Sequence, residues 1–171
     1  THDSLLEILI EAIKHKKHVL IEKPLARTYD ELIKNLPKKI NSKIRVGFNH
    51  RYHPAIIKAK NLIKNNIIGD IIFLRARYGH GARLGYNKEW RFDPIKSGGG
   101  QLIDQGSHLI DLSSYFLGEI KLEKSLIENY FWKAKVDDNS FSVAVDSSSG
   151  KLANSRKTGT LFLSFNKNFN L

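Results

Sequence analysis

The sequence of 171 residues lacks several features, and each absence narrows the class of protein. It has no cysteine, which excludes disulfides, thiolate catalysis and cysteine-ligated zinc, and which is typical of a cytoplasmic protein. No apolar run approaches the roughly 20 residues that span a bilayer, so we expect no membrane segment. Methionine is also absent, even at position 1, and we expect the sequence to be part of a longer protein.

The chain has an excess of positive charge, with a formal net charge of +11. Such a charge is typical of nucleic-acid-binding proteins. The lysines, however, are spread along the sequence, with no arginine-rich arm and no aromatic platform motif beside them. We therefore expect them on the solvated faces of helices and predict no nucleic-acid partner.

Helical and extended patterns alternate over the first 49 residues. Two Ser/Thr-x-x-Glu capping boxes, at Ser4 and Thr28, mark helix starts, and two short apolar runs have the character of buried parallel strands. The predicted elements are a helix over 4–17, a strand over 18–21, a helix over 28–36 and a strand over 43–48. This order is typical of an open parallel sheet, whose ligands bind at the carboxyl ends of the strands.

Glu22, Lys23 and Pro24 directly follow the first predicted strand. A lysine at a strand end can point its ammonium at a carbonyl or hydroxyl oxygen and be held there by a carboxylate. The proline fixes the local backbone and could form a cis peptide bond. Taken alone, the three residues are more typical of a solvated Lys–Glu ion pair at a strand end than of a functional site. Their place between an apolar strand and a capped helix favours the functional interpretation.

A glycine run at 98–100 opens into a helix that carries one polar stripe. Its members are spaced by three, four and three residues, which puts them on one face: Gln101, Asp104, His108 and Asp111. Burying such groups costs several kcal/mol unless they are paired, so the stripe faces a cleft, a partner or a satisfied core network. The Gly-x-Gly-x-x-Gly spacing is absent, and we interpret the glycines as a tight turn into the helix.

The remaining sequence changes to an α+β pattern. Pro54 suits the first turn of a helix, and Gly69 is expected to end it. The predicted extended segments are 71–78, 122–132, 141–145 and 161–165, with a glycine-containing loop over 79–86 and turns at 137–139 and 147–150. The last residues, 166–170, are expected to be frayed.

Three motifs together point to a family: HVLIEKPLA at 18–26, GFNHRYHP at 47–54 and GGGQLIDQGSHLID at 98–111. In this order and spacing they resemble the glucose-fructose oxidoreductase and inositol dehydrogenase family, also called Gfo/Idh/MocA. The resemblance covers residues 1 to about 120. It implies an α/β plus α+β fold: residues 1–49 as the C-terminal portion of a Rossmann NAD(P)-binding domain, and 50–171 as an incomplete substrate-binding and oligomerisation domain with a mixed, mostly antiparallel sheet and helices on one face.

The resemblance also implies an activity. Members of this family move a hydride between a nicotinamide cofactor, NAD or NADP, and a hydroxyl-bearing carbon, most often on a sugar or cyclitol. We therefore expect an NAD(P)-dependent oxidoreductase with a small sugar or polyol substrate, acting as a homo-oligomer. The glycine-rich turn and the acidic residue that hold the dinucleotide are not in this sequence, so we expect weak or no activity from the chain alone.

Carried over residue by residue, the family's catalytic residues match Lys23, Asp104 and His108. A neutral imidazole suits a base that takes a hydroxyl proton near pH 7, while the lysine would polarise the reacting oxygen and the aspartate would orient the pair. The implied cofactor-binding residues are Glu22, Lys23, Pro24, Asn49, Trp90 and Arg91, and the implied substrate-binding residues are Lys23, Arg51, Asp104 and His108. We interpret Asp111 as structural.

Two alternatives stay open. The chain could be a catalytically inactive remnant that keeps the substrate-domain fold for sugar binding or oligomer assembly. It could also be a metal-dependent hydrolase or lyase that uses Asp104 and His108 with a further ligand such as His53 or His80. Because the sequence contains no tight ligand motif, we expect no metal.

Overall fold

The computed structural model describes residues 1–79, 83–146 and 160–165. Its helices are α1 (His2–Lys14), α2 (Tyr29–Asn35), α3 (Pro54–Lys64), α4 (Pro94–Ser97) and α5 (Ser107–Leu117), with a wide π turn over Leu102–Gly106 leading into α5. Its strands are β1 (Val19–Ile21), β2 (Ile44–Val46), β3 (Phe73–Tyr78), β4 (Ile120–Glu128), β5 (Asn139–Asp146) and β6 (Thr160–Phe165). Short 3-10 turns occupy Asn49–Tyr52, Tyr86–Lys88 and Trp90–Phe92.

The first two strands form a parallel pair, which confirms the predicted strand order in this part of the chain. They share an apolar core with α1, formed by Leu6, Leu9, Ile13 and Ile21. The burial of β1 differs from the prediction, because Leu20 is 76% exposed and only one face of the strand is covered by described residues.

The ends of the first helix also differ from the prediction. α1 begins after Thr1, and the Ser4 hydroxyl donates to the Thr1 carbonyl at 2.9 Å from inside the first turn, so Ser4 is not a cap. It ends at Lys14 and the chain turns at Lys16, where φ is 53°. The Thr28 cap is confirmed, since its hydroxyl accepts from the Glu31 amide at 3.1 Å.

The second sheet has four strands in the order β3-β6-β5-β4. β4 and β6 both pair with β5 in antiparallel fashion, whereas β3 and β6 are parallel. α5 covers one face of this sheet through Leu109, which packs with Ala144 and with the partly buried Leu74, Ala76, Tyr78, Leu102, Leu117 and Ile120. The predicted mixed, mostly antiparallel sheet with helical cover on one face is therefore confirmed.

Several predicted boundaries shift for identifiable reasons. β4 ends at Glu128 and not at 132, because the Asp138 carboxylate binds the amides of residues 130–132 at 2.7–2.8 Å and holds them in a turn. α3 begins with Pro54 as predicted but ends at Lys64, well before Gly69. The predicted turn at 147–150 and the frayed end at 166–170 lie outside the described residues.

The glycine run makes a close turn into the helix, as interpreted from the sequence. Gly98 has φ +77°, and a Cβ there would lie 2.4 Å from Cβ of Arg27. A Cβ on Gly100 would lie 1.8 Å from the Asp137 carbonyl oxygen. The Asp137 carboxylate accepts from the amides of Gly100 and Leu102, each at 2.8 Å. The first turn is thus capped by a residue from the connection between β4 and β5.

The described parts of the chain contain no helix with both the length and the apolar character needed to cross a bilayer.

Candidate active site

Lys23 and Asp104 meet where the end of β1 faces the π turn. The Lys23 ammonium donates to Oδ1 of Asp104 at 2.8 Å and also to the Asp104 backbone carbonyl. The two side chains are only 11% and 8% exposed. The peptide bond between Lys23 and Pro24 is cis. Two residues that the family resemblance paired are thus in direct contact.

The carboxylate of Asp104 has further donors on its other oxygen. Oδ2 accepts from Nε of Arg91 at 3.1 Å and from Nε2 of Gln105 at 3.2 Å. Burial acts to raise the pKa of Asp104, but the hydrogen bond and charge of Lys23, together with Arg91, outweigh it and hold that pKa below its usual value. Asp104 is therefore a carboxylate anion near neutral pH.

The polar stripe of the helix is buried as a whole, as its spacing predicted. Its members are between 5% and 9% exposed: Gln101, Asp104, His108 and Asp111. The π turn over Leu102–Gly106 contains Asp104, so that the helix is locally wider than a regular α-helix. Such turns occur frequently at functional sites.

His108 follows Asp104 by one turn and is 7% exposed. No described residue hydrogen-bonds to its ring, and its buried Nδ1 has no partner among them. Burial, the Lys23 ammonium and His50 lower the pKa of His108 from 6.5 to about 4, against the opposing charge of Asp104. The imidazole is therefore neutral at pH 7, and it lies close enough to Lys23 to feel its charge.

Two further histidines border the site, and no sequence pattern indicated a role for either. The ring of His50 stacks on that of His108, with centroids 3.9 Å apart and an interplanar angle of 19°. Nδ1 of His2 donates to the Ser97 carbonyl at 2.8 Å, and its ring meets Trp90 edge-on at 4.8 Å. Burial is the main cause that lowers the pKa of both histidines.

The predicted cofactor-binding residues lie around the carboxyl ends of β1 and β2. Glu22 and Pro24 flank Lys23, and Glu22 is exposed. Asn49, also exposed, begins the 3-10 turn after β2. The guanidinium of Arg91 lies 4.7 Å from the centre of the Trp90 ring while its Nε binds Asp104, so this pair adjoins the lysine.

The guanidinium of Arg51 binds Asp111 and, among the described residues, forms no hydrogen bond with Asp104. Nε and Nη2 of Arg51 donate to the two carboxylate oxygens at 2.7 and 2.5 Å. The same guanidinium lies 5.0 Å from the centre of the Tyr115 ring. This geometry agrees with the structural interpretation of Asp111, and the substrate-binding role of Arg51 stays a prediction.

The alternative of a metal site gains no support from the geometry. Across the described residues no cluster of three or more His, Asp or Glu side chains has the arrangement of a metal site. Nδ1 of His53 accepts from the Ala55 amide at 3.3 Å and thereby caps α3. His80 lies outside the described residues.

Comparisons with known proteins show the family to which the chain belongs. A family model of the GFO/IDH/MocA C-terminal domain matches residues 56–160. Levoglucosan dehydrogenase of Pseudarthrobacter phenanthrenivorans is 34% identical over 128 residues, 72% of this chain and 33% of that enzyme. Glucose-6-phosphate 3-dehydrogenase of Bacillus subtilis is 34% identical over 113 residues, 64% of this chain and 32% of that enzyme.

A solved structure gives the same result at the level of the fold. Levoglucosan dehydrogenase in complex with NADH and levoglucosan matches with a TM-score of 0.79 and 28% identity, over 95% of this chain and 45% of that one. The chain spans about a third of the length of the curated relatives named above. The sequence motifs, the fold and the family match agree: this chain belongs to the Gfo/Idh/MocA family.

Proposed function

We propose that this chain carries the reacting groups of an NAD(P)-dependent dehydrogenase that transfers a hydride between the nicotinamide and a hydroxyl-bearing carbon of a sugar or cyclitol. The observation that carries the proposal is the hydrogen-bonded contact of the Lys23 ammonium with the Asp104 carboxylate. The neutral imidazole of His108 follows Asp104 by one helical turn and lies within reach of the charges of both residues. The two curated relatives described above are dehydrogenases of carbohydrates, which supports the same chemistry here over an inactive remnant.

Lys23 has the right number of donors to bind a substrate oxygen. An ammonium has three N–H groups, and two of them are taken by the carboxylate and the backbone carbonyl of Asp104. The third can donate to the reacting hydroxyl or carbonyl oxygen. Its positive charge would stabilise negative charge that develops on that oxygen as the proton leaves. Asp104, held also by Arg91, fixes the direction of the ammonium.

His108 is suited to take the hydroxyl proton. The ring is neutral at pH 7 and no described residue occupies its nitrogens, so a substrate hydroxyl can bond there. A pKa of about 4 makes it a weak base, but proton transfer to it becomes easier as the hydride leaves the same carbon for the nicotinamide in one step. The imidazolium that forms beside Lys23 is disfavoured, so it readily passes its proton to solvent.

The residues around Lys23 fit a nicotinamide cofactor, which would supply the hydride acceptor when bound. Rossmann domains hold their cofactor at the carboxyl ends of parallel strands. Glu22 directly follows β1, and Asn49 follows β2 after two residues. We assign cofactor contacts to Glu22, Lys23, Pro24, Asn49, Trp90 and Arg91. The separate core of α1, β1 and β2 supports 1–49 as the end of a Rossmann domain and 50–171 as the substrate domain.

Self-association is part of the same proposal. Leu126 on β4 and Phe141 on β5 lie opposite each other in the sheet and are 51% and 44% exposed. Exposed apolar side chains that neighbour one another on a sheet often mark a protein interface. We therefore assign a homo-oligomeric state to the protein.

A chimera tests the function. The first, dinucleotide-binding part of levoglucosan dehydrogenase is fused before Thr1, and NAD(P)H formation is followed with levoglucosan, glucose 6-phosphate and inositol. We expect NAD(P) to be reduced with at least one of these substrates, and we expect Lys23→Met to abolish the reduction. Lys17→Met, at an exposed lysine, is the matched control and should leave the rate unchanged. A folded chimera that binds NAD(P) but oxidises no polyol, or whose rate ignores Lys23→Met, would contradict the proposal.

A further inference from the structure

Three rings stand in one column at the edge of the site. The His50 ring lies between that of Tyr78, with centroids 5.8 Å apart at 21°, and that of His108, 3.9 Å apart at 19°. These rings come from the turn after β2, from β3 and from α5, which are distant in sequence. Residues from separate elements thus fix one side of the His108 imidazole.

No hydrogen bond from the part of the chain that the structure describes sets the orientation of the His108 ring. A catalytic histidine is usually held by a third group, often a carboxylate that accepts from one of its ring nitrogens. Among the described residues, the ring contacts of His108 are the face of His50 and the edge of Phe48, at 6.2 Å and 86°. The plane of the imidazole is therefore set by packing.

From this geometry we infer that His50 is a positioning residue for His108, which holds the plane of the imidazole by face-to-face stacking. The inference rests on the proposed function, in which His108 accepts the substrate proton. The stack requires at least one of the two rings to be neutral, because two imidazolium ions in face contact repel each other. The charged or titratable groups nearby are Lys23 and Asp104 for His108, and Lys23, His53 and Asp111 for His50.

Nitrogen-15 NMR of the histidine rings in the full chain tests this inference without any cofactor. The His108 signals are assigned by their loss in His108→Gln. We compare wild type with His50→Phe, which keeps a flat ring, and with His50→Leu and His50→Gln, which do not. We expect the relaxation of the His108 ring nitrogens to report one fixed ring orientation in wild type and in His50→Phe, and a mobile ring in the other two variants. The second ringless variant covers the case in which the first fails to fold.

Unchanged relaxation of the His108 ring in a folded His50→Leu or His50→Gln protein would overturn the inference, and so would a mobile His108 ring in a folded His50→Phe protein. In the chimera we expect His50→Leu to lower kcat about 10- to 100-fold with little change in KM, and His50→Phe to stay near wild type. If the chimera shows no turnover but the NMR difference between wild type and the ringless His50 variants is seen, the proposed dehydrogenase function is refuted and the positioning role of His50 is not. Turnover that depends on Lys23, with no NMR difference, would refute only the positioning.

Discussion

One helix carries two ion pairs of different design. Asp104, in the π turn, binds Lys23 from the end of β1, and Asp111, about two turns further on, binds Arg51 from the turn after β2. Both carboxylates are buried, with 8% and 7% of their side chains exposed. The pairs differ in how many hydrogen-bonding groups they leave free.

The Arg51–Asp111 pair is closed. Its planar fork matches both carboxylate oxygens, which is the geometry that fixes two elements together. The Lys23–Asp104 pair is open: within the described ranges the ammonium keeps a third N–H, and the nearby His108 imidazole has no hydrogen-bond partner there. The difference teaches that burial alone does not distinguish the two pairs, and that the pair which leaves a donor free is the one to which the proposed function assigns a catalytic role.

The largest expected effect is on turnover. In the chimera, Lys23→Met should lower kcat about 100- to 1,000-fold, because it removes the group that the proposed function assigns as donor to the reacting oxygen. Arg51→Met should lower it far less, since the Arg51 guanidinium binds Asp111. Initial rates at saturating substrate measure both effects. Equal losses in the two variants would erase the distinction between the open and the closed pair.

For stability we expect the opposite order, with a larger loss in Arg51→Met than in Lys23→Met. Arg51→Met leaves the Asp111 carboxylate buried without its partner, which should lower the free energy of unfolding by about 3 kcal/mol. We expect the low end of the usual range because the Arg51 side chain is 39% exposed and solvent screens the pair. Urea unfolding measures the loss, with Arg45→Met, at an exposed arginine that binds Tyr52, as the control. If Arg51→Met loses no more free energy of unfolding than Arg45→Met, the Arg51–Asp111 pair does not clamp the two elements together.

Acid should lower the free energy of unfolding through protonation of His108, which lies near the Lys23–Asp104 pair. Unfolded histidine takes up a proton near pH 6.5, but folded His108 does so only at about 4, so the unfolded state binds more protons between these values. Stability therefore falls as the pH drops from about 6.5 to 4, by on the order of 2 to 3 kcal/mol. His2 and His50 act in the same direction. Urea unfolding against pH should give a flatter curve for His108→Gln, and the same slope as wild type would refute the cause.

The smallest expected effect is that of Lys23→Met on stability. Asp104 keeps Arg91 and Gln105 on its Oδ2 atom, so the loss should be about 2 kcal/mol, from the two hydrogen bonds of Lys23 at about 1 kcal/mol each. Thermal unfolding of Lys23→Met beside Arg51→Met measures the contrast. A loss for Lys23→Met as large as that for Arg51→Met would show that the lysine pair is a structural clamp as well.

Local patterns predicted those parts of the fold that local forces determine. The parallel strand pair, the Thr28 cap and the buried polar stripe follow from periodicity and capping within a few residues. The predictions failed where a distant group decides. The turn after Glu128, predicted as part of a strand, depends on the Asp138 carboxylate. The tight turn at the glycine run was predicted, but its cap comes from Asp137, 35 residues beyond the Leu102 amide, and no local pattern indicates that contact.

The same division holds for the candidate site. The family resemblance brought Lys23 and Asp104 together before any coordinates, and the structure places them in contact. It gave no role to His50, because stacking depends on where β3 and α5 place their rings in space. Nor could the sequence reveal that the Arg51 fork binds Asp111, because the two residues belong to separate elements.

The π turn over Leu102–Gly106 has a further consequence for how the helix is phased. Such a turn accommodates one additional residue, so the segment before it is rotated by about 100° from the continuation of a regular α-helix. Deleting a single residue there would swing the Asp104 carboxylate away from the ammonium while leaving the Arg51 clamp in place. The widened turn thus allows one helix to direct Asp104 to Lys23 after β1 and Asp111 to Arg51 after β2.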